Sequence, residues 1–220
     1  MVSQIFVAIV ATIVAMGIWE ICGRIFPKIK TPVGLLLSFF YFRKIVTFSN
    51  FNDDKIKKYI DRGIEKSKKL KYMSIRGFPL VQEAYELHKA LKKYYNVDAT
   101  YQFMISDPNG QNAKNRADEY AKLETSSNSS LYLDEIRASI TQILEQKKIM
   151  PKIVLKLHDT IPIFRICICD KYCFLSFYTS KYMGKSSPVF LFDNKTIEYD
   201  VFEYYFDYTW KNSHECTIKI

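Results

Sequence analysis

The stretch Ile153-Val-Leu-Lys-Leu-His158-Asp-Thr-Ile-Pro-Ile163-Phe-Arg165-Ile-Cys-Ile-Cys-Asp170-Lys-Tyr-Cys-Phe-Leu-Ser-Phe-Tyr178 decides the fold. It reads as three consecutive strands: Ile153 to Leu157, Ile163 to Cys169 and Tyr172 to Tyr178. The runs are short, rich in β-branched and aromatic residues, and bounded by turn residues. Asp170-Lys171 between the last two is a hairpin turn. One polar pattern, Ile163-x-Arg165-x4-Asp170, crosses this apolar hairpin.

Upstream, strands alternate with helices. Lys71 to Gly77 reads as a strand ending on a glycine, and Pro79 opens a helix over Leu80 to Tyr95, since proline is tolerated in a first turn. Thr100 to Ile105 is the next strand, closed by the turn Ser106-Asp107-Pro108-Asn109-Gly110. Helices follow over Ala113 to Glu124 and Leu131 to Gln146, the second with Leu133, Ile136, Ile140, Ile143 and Leu144 on one side. After the three strands, Val189 to Phe192 is a further strand and Thr196 to Asn212 an aromatic-rich helix. Strand–helix–strand units followed by a run of strands predict an α/β fold, its sheet partly parallel and partly antiparallel and flanked by helices. The ligand crevice of such a sheet lies beyond the carboxyl ends of the parallel strands. Arg76, Ser106, Asp107 and His158 fall at those ends.

The N-terminus has another character. Val2 to Ile18 carries no charge, and with Trp19 and Ile21-Cys22 reaches the roughly 20 residues that span a bilayer. A transmembrane helix over 2–22 is expected. A secretory signal is the rival, and it fits poorly because no Lys or Arg precedes the apolar run. Arg24, Lys28, Lys30, Arg43 and Lys44 all follow the segment, so the positive-inside rule predicts a single-pass protein of the cell inner membrane with its C-terminal domain cytoplasmic. Ala8, Ala11, Thr12 and Ala15 offer small residues for a homo-oligomer through the anchor, although alanine is common in membrane helices anyway. Within a second apolar segment, 33–48, the run Val33 to Phe42 reads as an interfacial or re-entrant helix ending at the Arg43-Lys44 pair. The alternative is a second span reaching Phe48, which would put the soluble domain outside. Residues 49–71 then form a basic linker helix with Ile56, Ile60 and Ile64 as a narrow apolar stripe, either packed on the domain or acting as a stalk. The soluble domain covers 72–220.

Composition limits the functional classes. The 220 residues are 48% hydrophobic with a formal charge of +9, enough for one domain and an anchor. The basic balance suits either nucleic acid or an anionic membrane face. The five cysteines form no disulfide framework and lack the second cluster a zinc site wants, so buried thiols are expected, with no metal and no cofactor.

The element order resembles the phospholipase D-like fold over about Lys71 to Asn212: a strand–Gly–helix, a strand followed by an Asp-Pro loop with an arginine downstream, three strands, and a closing aromatic helix ending at Trp210. The catalytic signature of that family is His-x-Lys-x4-Asp. Here Ile163, Arg165 and Asp170 occupy its places, so the chain more closely resembles the branch lacking the signature, whose members are sensor or effector modules in prokaryotic regulatory and defence proteins. The resemblance implies a membrane-anchored, non-catalytic module that binds a nucleotide-like ligand, nucleic acid or a protein partner, with membrane disruption in antiviral defence as a biological role.

The chemistry agrees with the lost signature. Phosphodiester transfer of this kind uses an imidazole nucleophile and a second imidazole to protonate the leaving group, and isoleucine serves as neither. His158 beside Asp159 is the candidate for a diverged phosphodiesterase or phospholipase, against the simpler reading of a buried histidine at a strand end. Arg76, Arg116 and Arg165 are candidates to converge on a phosphate through guanidinium forks. Asp107 would orient Arg116 or read a hydroxyl, or merely close its own turn. Arg165 and Asp170 are alternatively an ion pair or surface charges. A structural partner subunit without a ligand site is the third functional reading.

Overall fold

The first strand of the sheet lies where the sequence reading expected the end of a membrane-associated segment. The computed structural model describes residues 46–51, 53–123, 128–161, 163–178 and 187–216. Val46–Phe48 is strand β1, and the compact unit that contains it runs from Ile45 to Ile220. The compact unit thus begins well before the boundary expected at residue 72, and the alternative of a second span reaching Phe48 is corrected: the backbone of Val46–Phe48 pairs with another strand. The span expected over 2–22 and most of segment 33–48 lie outside the described residues. Among the described residues, no helix is long and apolar enough to cross a membrane.

The remaining strands are β2 (Lys69–Ser74), β3 (Thr100–Ser106), β4 (Ile153–His158), β5 (Phe164–Cys169), β6 (Tyr172–Phe177), β7 (Val189–Asp193) and β8 (His214–Glu215). The helices are α1 (Asp54–Ile64), α2 (Phe78–Val81), α3 (Glu86–Tyr94), α4 (Gln111–Leu123), α5 (Ser129–Ile149) and α6 (Ile197–Lys211). One eight-stranded sheet has the order β1-β7-β6-β5-β2-β3-β4-β8. β2, β3 and β4 are mutually parallel, joined through helices, and every other pair is antiparallel. The mixed α/β architecture is thus the one its alternating elements predict.

Register sorts the side chains into two faces. Met73 pairs with Met104 and with Ile166, and Met104 pairs with Lys156, so these residues share a face with Lys71 and His158. That face is covered by α6: Lys71 Nζ lies 2.8 Å from Glu203 and 2.7 Å from Asp207, and Lys156 Nζ donates to the Trp210 carbonyl at 3.1 Å. Leu70, Tyr72, Phe103, Ile105, Leu155, Leu157 and Cys167 point the other way, into a core shared with α1, α2, α3, α4 and α5.

Helix α1 is part of this core. Asp53 caps it, accepting from the Lys55 amide at 3.0 Å. Its stripe Ile56, Ile60 and Ile64 is buried, each side chain worth about 1.5–3 kcal/mol of apolar burial. A Cβ on Gly63 would lie 2.6 Å from Cys169 Sγ, so glycine permits the close approach of α1 to β5. The helix is therefore the packed version of the expected linker. The single helix expected over Leu80 to Tyr95 is divided instead. α2 starts at Gly77, whose φ of 71° suits glycine, and the chain extends through Gln82 before α3 begins after Tyr85. The break turns Tyr85 inward, where it is 7% exposed.

Candidate functional site

The β5–β6 hairpin carries the polar pattern. Because β5 lies between β2 and β6 with both faces covered, its sequence is almost wholly apolar, and Arg165 is the exception. Ile163 precedes the strand and is 45% exposed, its carbonyl accepting from the Tyr178 amide at 2.8 Å. Arg165, two residues on, is 7% exposed. Its guanidinium carbon lies 5.1 Å from the Phe51 ring centre and 5.6 Å from that of Tyr178, and the Tyr178 phenol is a hydrogen-bonding neighbour. Nε and Nη1 are buried and have no hydrogen-bond partner among the described residues, and the Tyr72 hydroxyl is buried in the same state. Tyr72 pairs in register with Cys167, so its ring shares the face of Arg165. Burial works against the guanidinium charge, but the phenols of Tyr178 and Tyr72 outweigh it and raise the pKa. Burial likewise raises the pKa of the Tyr72 phenol. Arg165 stays charged, and no carboxylate among the described residues forms an ion pair with it.

Arg76 and Arg116 stand differently. Arg76, at the carboxyl end of β2, is held by Glu135 of α5 at 2.7 Å and touches three rings, Phe78 at 4.6 Å, Tyr132 at 5.0 Å and Tyr120 at 5.2 Å. Arg116 on α4 is held by Glu119 at 2.6 Å. Tyr132 ties the group together. Burial pushes its phenol up to about 12, while Arg76 and Arg116 both draw it down and Tyr178 pushes it up. Arg76 and Arg116 thus both neighbour Tyr132, and Arg165 neighbours Tyr178, but Arg76 and Arg116 already have carboxylate partners.

Asp170, Asp107 and His158 do not join them. Asp170 sits in the hairpin turn at the other end of β5, where its Oδ2 accepts from the Lys68 amide at 2.6 Å. It braces the start of β2, so it neither pairs with Arg165 nor belongs to the cluster. Asp107 closes its own turn, accepting from the Asn109 amide at 2.8 Å, and its Oδ2 lies 3.3 Å from His214 Nε2 at the β8 edge. His158 lies on the α6 face, opposite Arg165. Its Nδ1 is 2.8 Å from Thr160 Oγ1 and its Nε2 is 3.5 Å from Ser106 Oγ. Burial lowers its pKa to about 4. The expected Asp–His pair is not formed through Asp159, whose carboxylate instead caps α4, receiving the Gln111 and Asn112 amides at 3.3 Å and 3.0 Å.

The sequence reading missed the aromatic half of the cluster: Phe51, Tyr72, Tyr85, Tyr132 and Tyr178. Strand alternation offered a clue for two of them. Tyr72 follows the inward parity of Leu70, and Tyr178 stands one residue beyond the strand that pairs with β5. Among the described residues no His, Cys, Asp and Glu side chains gather as a metal site, and Cys167, Cys169 and Cys173 are buried free thiols.

Comparison with known proteins returns structural likenesses only. No protein-family model matches the chain, and no curated protein matches it in sequence. Among solved structures it is similar to the phospholipase D family member Nuc from Salmonella typhimurium, at 14% identity and a TM-score of 0.42, covering 79% of this chain and 97% of that one. NucT from Helicobacter pylori is similar at 10% identity and a TM-score of 0.45, covering 79% of this chain and 99% of that one. TrmBL2, an archaeal chromatin protein described as binding DNA in a novel mode, is similar at 12% identity and a TM-score of 0.45 over 97% of this chain. The chain spans 66% of the length of TrmBL2.

Proposed function

We propose that this chain is a phospholipase D-like domain that has lost phosphodiester transfer and serves as a ligand-binding sensor-effector tethered to the cytoplasmic face of a membrane. One observation carries the reading: at the hairpin where the family signature falls, the nucleophile's place holds an exposed isoleucine, Ile163, while Arg165 remains as a buried, unpaired cation. None of the chain's three histidines occupies the nucleophile's place in the sequence pattern. His88 Nδ1 lies 2.7 Å from the Leu80 carbonyl, His158 lies on the opposite face of the sheet, and His214 lies on β8 at the far edge. A site with donors and no imidazole binds an anion without cleaving it.

The ligand in this reading is a nucleotide-like molecule or nucleic acid, recognised through its phosphate. The uncharged run Val2 to Ile18 supports a membrane tether, and the resemblance to signature-lacking modules supports a role in prokaryotic antiviral defence through membrane disruption. A partner-subunit reading has one observation in its favour: Ile197, Tyr204 and Tyr208 stand 57%, 58% and 61% exposed on α6.

The test is expression of the full chain, membrane fractionation, and incubation with a generic phosphodiester such as bis-p-nitrophenyl phosphate. The expected result is a membrane pellet resistant to carbonate washing and no hydrolysis above background. Hydrolysis that His158→Ala abolishes would establish the enzyme reading instead.

A further inference from the structure

The end of the sheet at which the parallel strands begin has a composition of its own. Five connections meet there: α1–β2, α3–β3, α5–β4, β5–β6 and β7–α6. Four of them expose lysine, with Lys66 and Lys68 before β2, Lys152 before β4, Lys171 between β5 and β6, and Lys195 after β7. The connection before β3 exposes an aliphatic side chain instead, Val97 at 59%. Ile149, which ends α5, is 81% exposed and follows the exposed pair Lys147-Lys148. Among the described residues none of these lysines is held in an ion pair. The exposed carboxylates of the same connections are Glu65 and Asp98.

Hydrogen bonds lace these connections into one surface. The Lys152 amide donates to the Tyr95 hydroxyl at 3.1 Å, and the Thr100 amide to the Lys68 carbonyl at 2.9 Å. The Lys68 amide donates to Asp170 Oδ2 at 2.6 Å, and the Asn194 amide to the Lys171 carbonyl at 2.9 Å. Lysines and aliphatic tips therefore stand in a braced row from β4 to β7. Beyond β7, Val46 pairs with Leu191 and Phe48 with Val189. The chain thus enters β1 at this same end, directly after Arg43-Lys44 in the sequence.

We propose that this lysine-tipped end docks on the surface of an anionic lipid bilayer, with Val97 and Ile149 entering the headgroup layer and the lysines resting on it. The inference rests on the tethered reading above and adds an orientation to it: the carboxyl ends of β2, β3 and β4, with Arg76 and Asp107, face away from the membrane. Exposed aliphatic tips among unpaired ammoniums match a boundary that is negative at its surface and apolar beneath. Lysine suits that boundary, because its ammonium is a point charge on a long apolar stem. A nucleic acid is gripped by aromatic faces that stack its bases and by guanidinium forks on its phosphates. The five connections contain no arginine, and their one aromatic side chain, Tyr95, is stacked on Tyr101.

The experiment is hydrogen exchange, read by mass spectrometry, on the full chain in nanodiscs of phosphatidylcholine and in nanodiscs of phosphatidylglycerol. Peptides covering Tyr95 to Ala99 and Lys147 to Lys152 are expected to exchange about threefold or more slowly in phosphatidylglycerol, and those covering Asp107 to Gly110 equally in both. High salt is expected to abolish the difference. The double variant Val97→Asp, Ile149→Asp changes two exposed positions and is expected to remove the protection while the sheet exchanges as before. If it does not fold, Lys147→Gln, Lys148→Gln, Lys152→Gln gives the same test. Equal exchange of both loops in the two discs, protection confined to Asp107 to Gly110, or an unaffected, folded variant would overturn the inference. Stronger protection of these loops by a single-stranded oligonucleotide, added to the chain in neutral detergent, would overturn it too. The tether is read separately, as elution of the chain with phosphatidylcholine discs in high salt. A chain that elutes with phosphatidylglycerol discs alone and is released by salt would refute the tether and uphold the docking surface.

Discussion

His158 and Arg165 stand on opposite faces of the sheet. His158 follows Lys156 on the face covered by α6, and Arg165 alternates with Ile166 onto the face covered by the other helices. Strands β2 and β3 also separate β4 from β5 in the sheet order. Within one chain, the imidazole and the buried guanidinium therefore cannot act on the same phosphorus. Phosphoryl transfer needs both a nucleophile and charge stabilisation at one centre, and this arrangement keeps them apart.

The first prediction concerns His158 and pH. Burial lowers its pKa to about 4 from an ordinary 6.5, so protons bind the unfolded chain first. Its contribution to stability is fully present above about pH 6.5, declines as pH falls towards 4, and is lost below that; the whole effect is on the order of 3 kcal/mol. Urea unfolding of the natural chain and of His158→Gln between those limits checks this. The difference in slope is expected to vanish in the variant, and ligand binding is expected to be unchanged.

Replacing Arg165 separates stability from function. Arg165→Met removes a buried unpaired charge, a gain of about 1–3 kcal/mol, and loses contacts with the Phe51 and Tyr178 rings worth about 0.5–2 kcal/mol. The unliganded variant is expected to unfold at a urea concentration equal to or above that of the natural chain. Stabilisation by a bound phosphodiester is expected to disappear. A site that trades stability for binding behaves in this way.

Asp170 has the opposite profile. Its carboxylate accepts the Lys68 amide at 2.6 Å, and its backbone amide donates to Ser67 Oγ at 3.0 Å. Asp170→Ala is expected to destabilise the fold by about 1–3 kcal/mol, as for a hydrogen bond to a charged group, with no change in ligand affinity. Thermal unfolding with and without a phosphodiester distinguishes it from Arg165.

Lys71 gives a fourth test, on the α6 face. Its side chain is 11% exposed between Glu203 and Asp207, and its ammonium lies 5.8 Å from the Phe206 ring centre. Lys71→Ala leaves Glu203 to Lys69 alone and is expected to cost about 2–4 kcal/mol, a value at the lower end for broken buried pairs because Asp207 is half exposed. Lys57→Ala, at an exposed pair with Glu86, is expected to leave the unfolding midpoint nearly unchanged. Denaturant unfolding of the two variants side by side checks the contrast.

Much of the fold was legible because its elements carry local signals. The hairpin turn at Asp170-Lys171, the glycine before α2 with the proline in its first turn, and the apolar spacing of Ile136, Ile140 and Ile143 on α5 each announce themselves within a few residues. β1 and β8 do not. Val46–Phe48 becomes a strand only because β7 offers a free edge, and His214–Glu215 only because β4 does. The break at Gln82 to Tyr85 is likewise a tertiary effect, since it places Tyr85 in the core. At the candidate site, the place of Arg76 at a strand end was legible, but the pairing of the arginines was not. Glu135 lies on α5, 59 positions from Arg76, and nothing in the local sequence marks it as that arginine's partner. Asp170 misled because the motif spacing is linear, whereas five residues of strand carry the aspartate to the opposite end of the sheet, about 16 Å away at the usual rise.

The most direct measurement is a crystal structure of the full chain soaked with a phosphodiester dinucleotide. The account predicts one uncleaved diester phosphate within hydrogen-bond distance of Arg165 Nε and Nη1, on the face of Tyr72 and Tyr178. A phosphate bound instead beside His158 on the α6 face, or cleaved dinucleotide in the crystal, would contradict it.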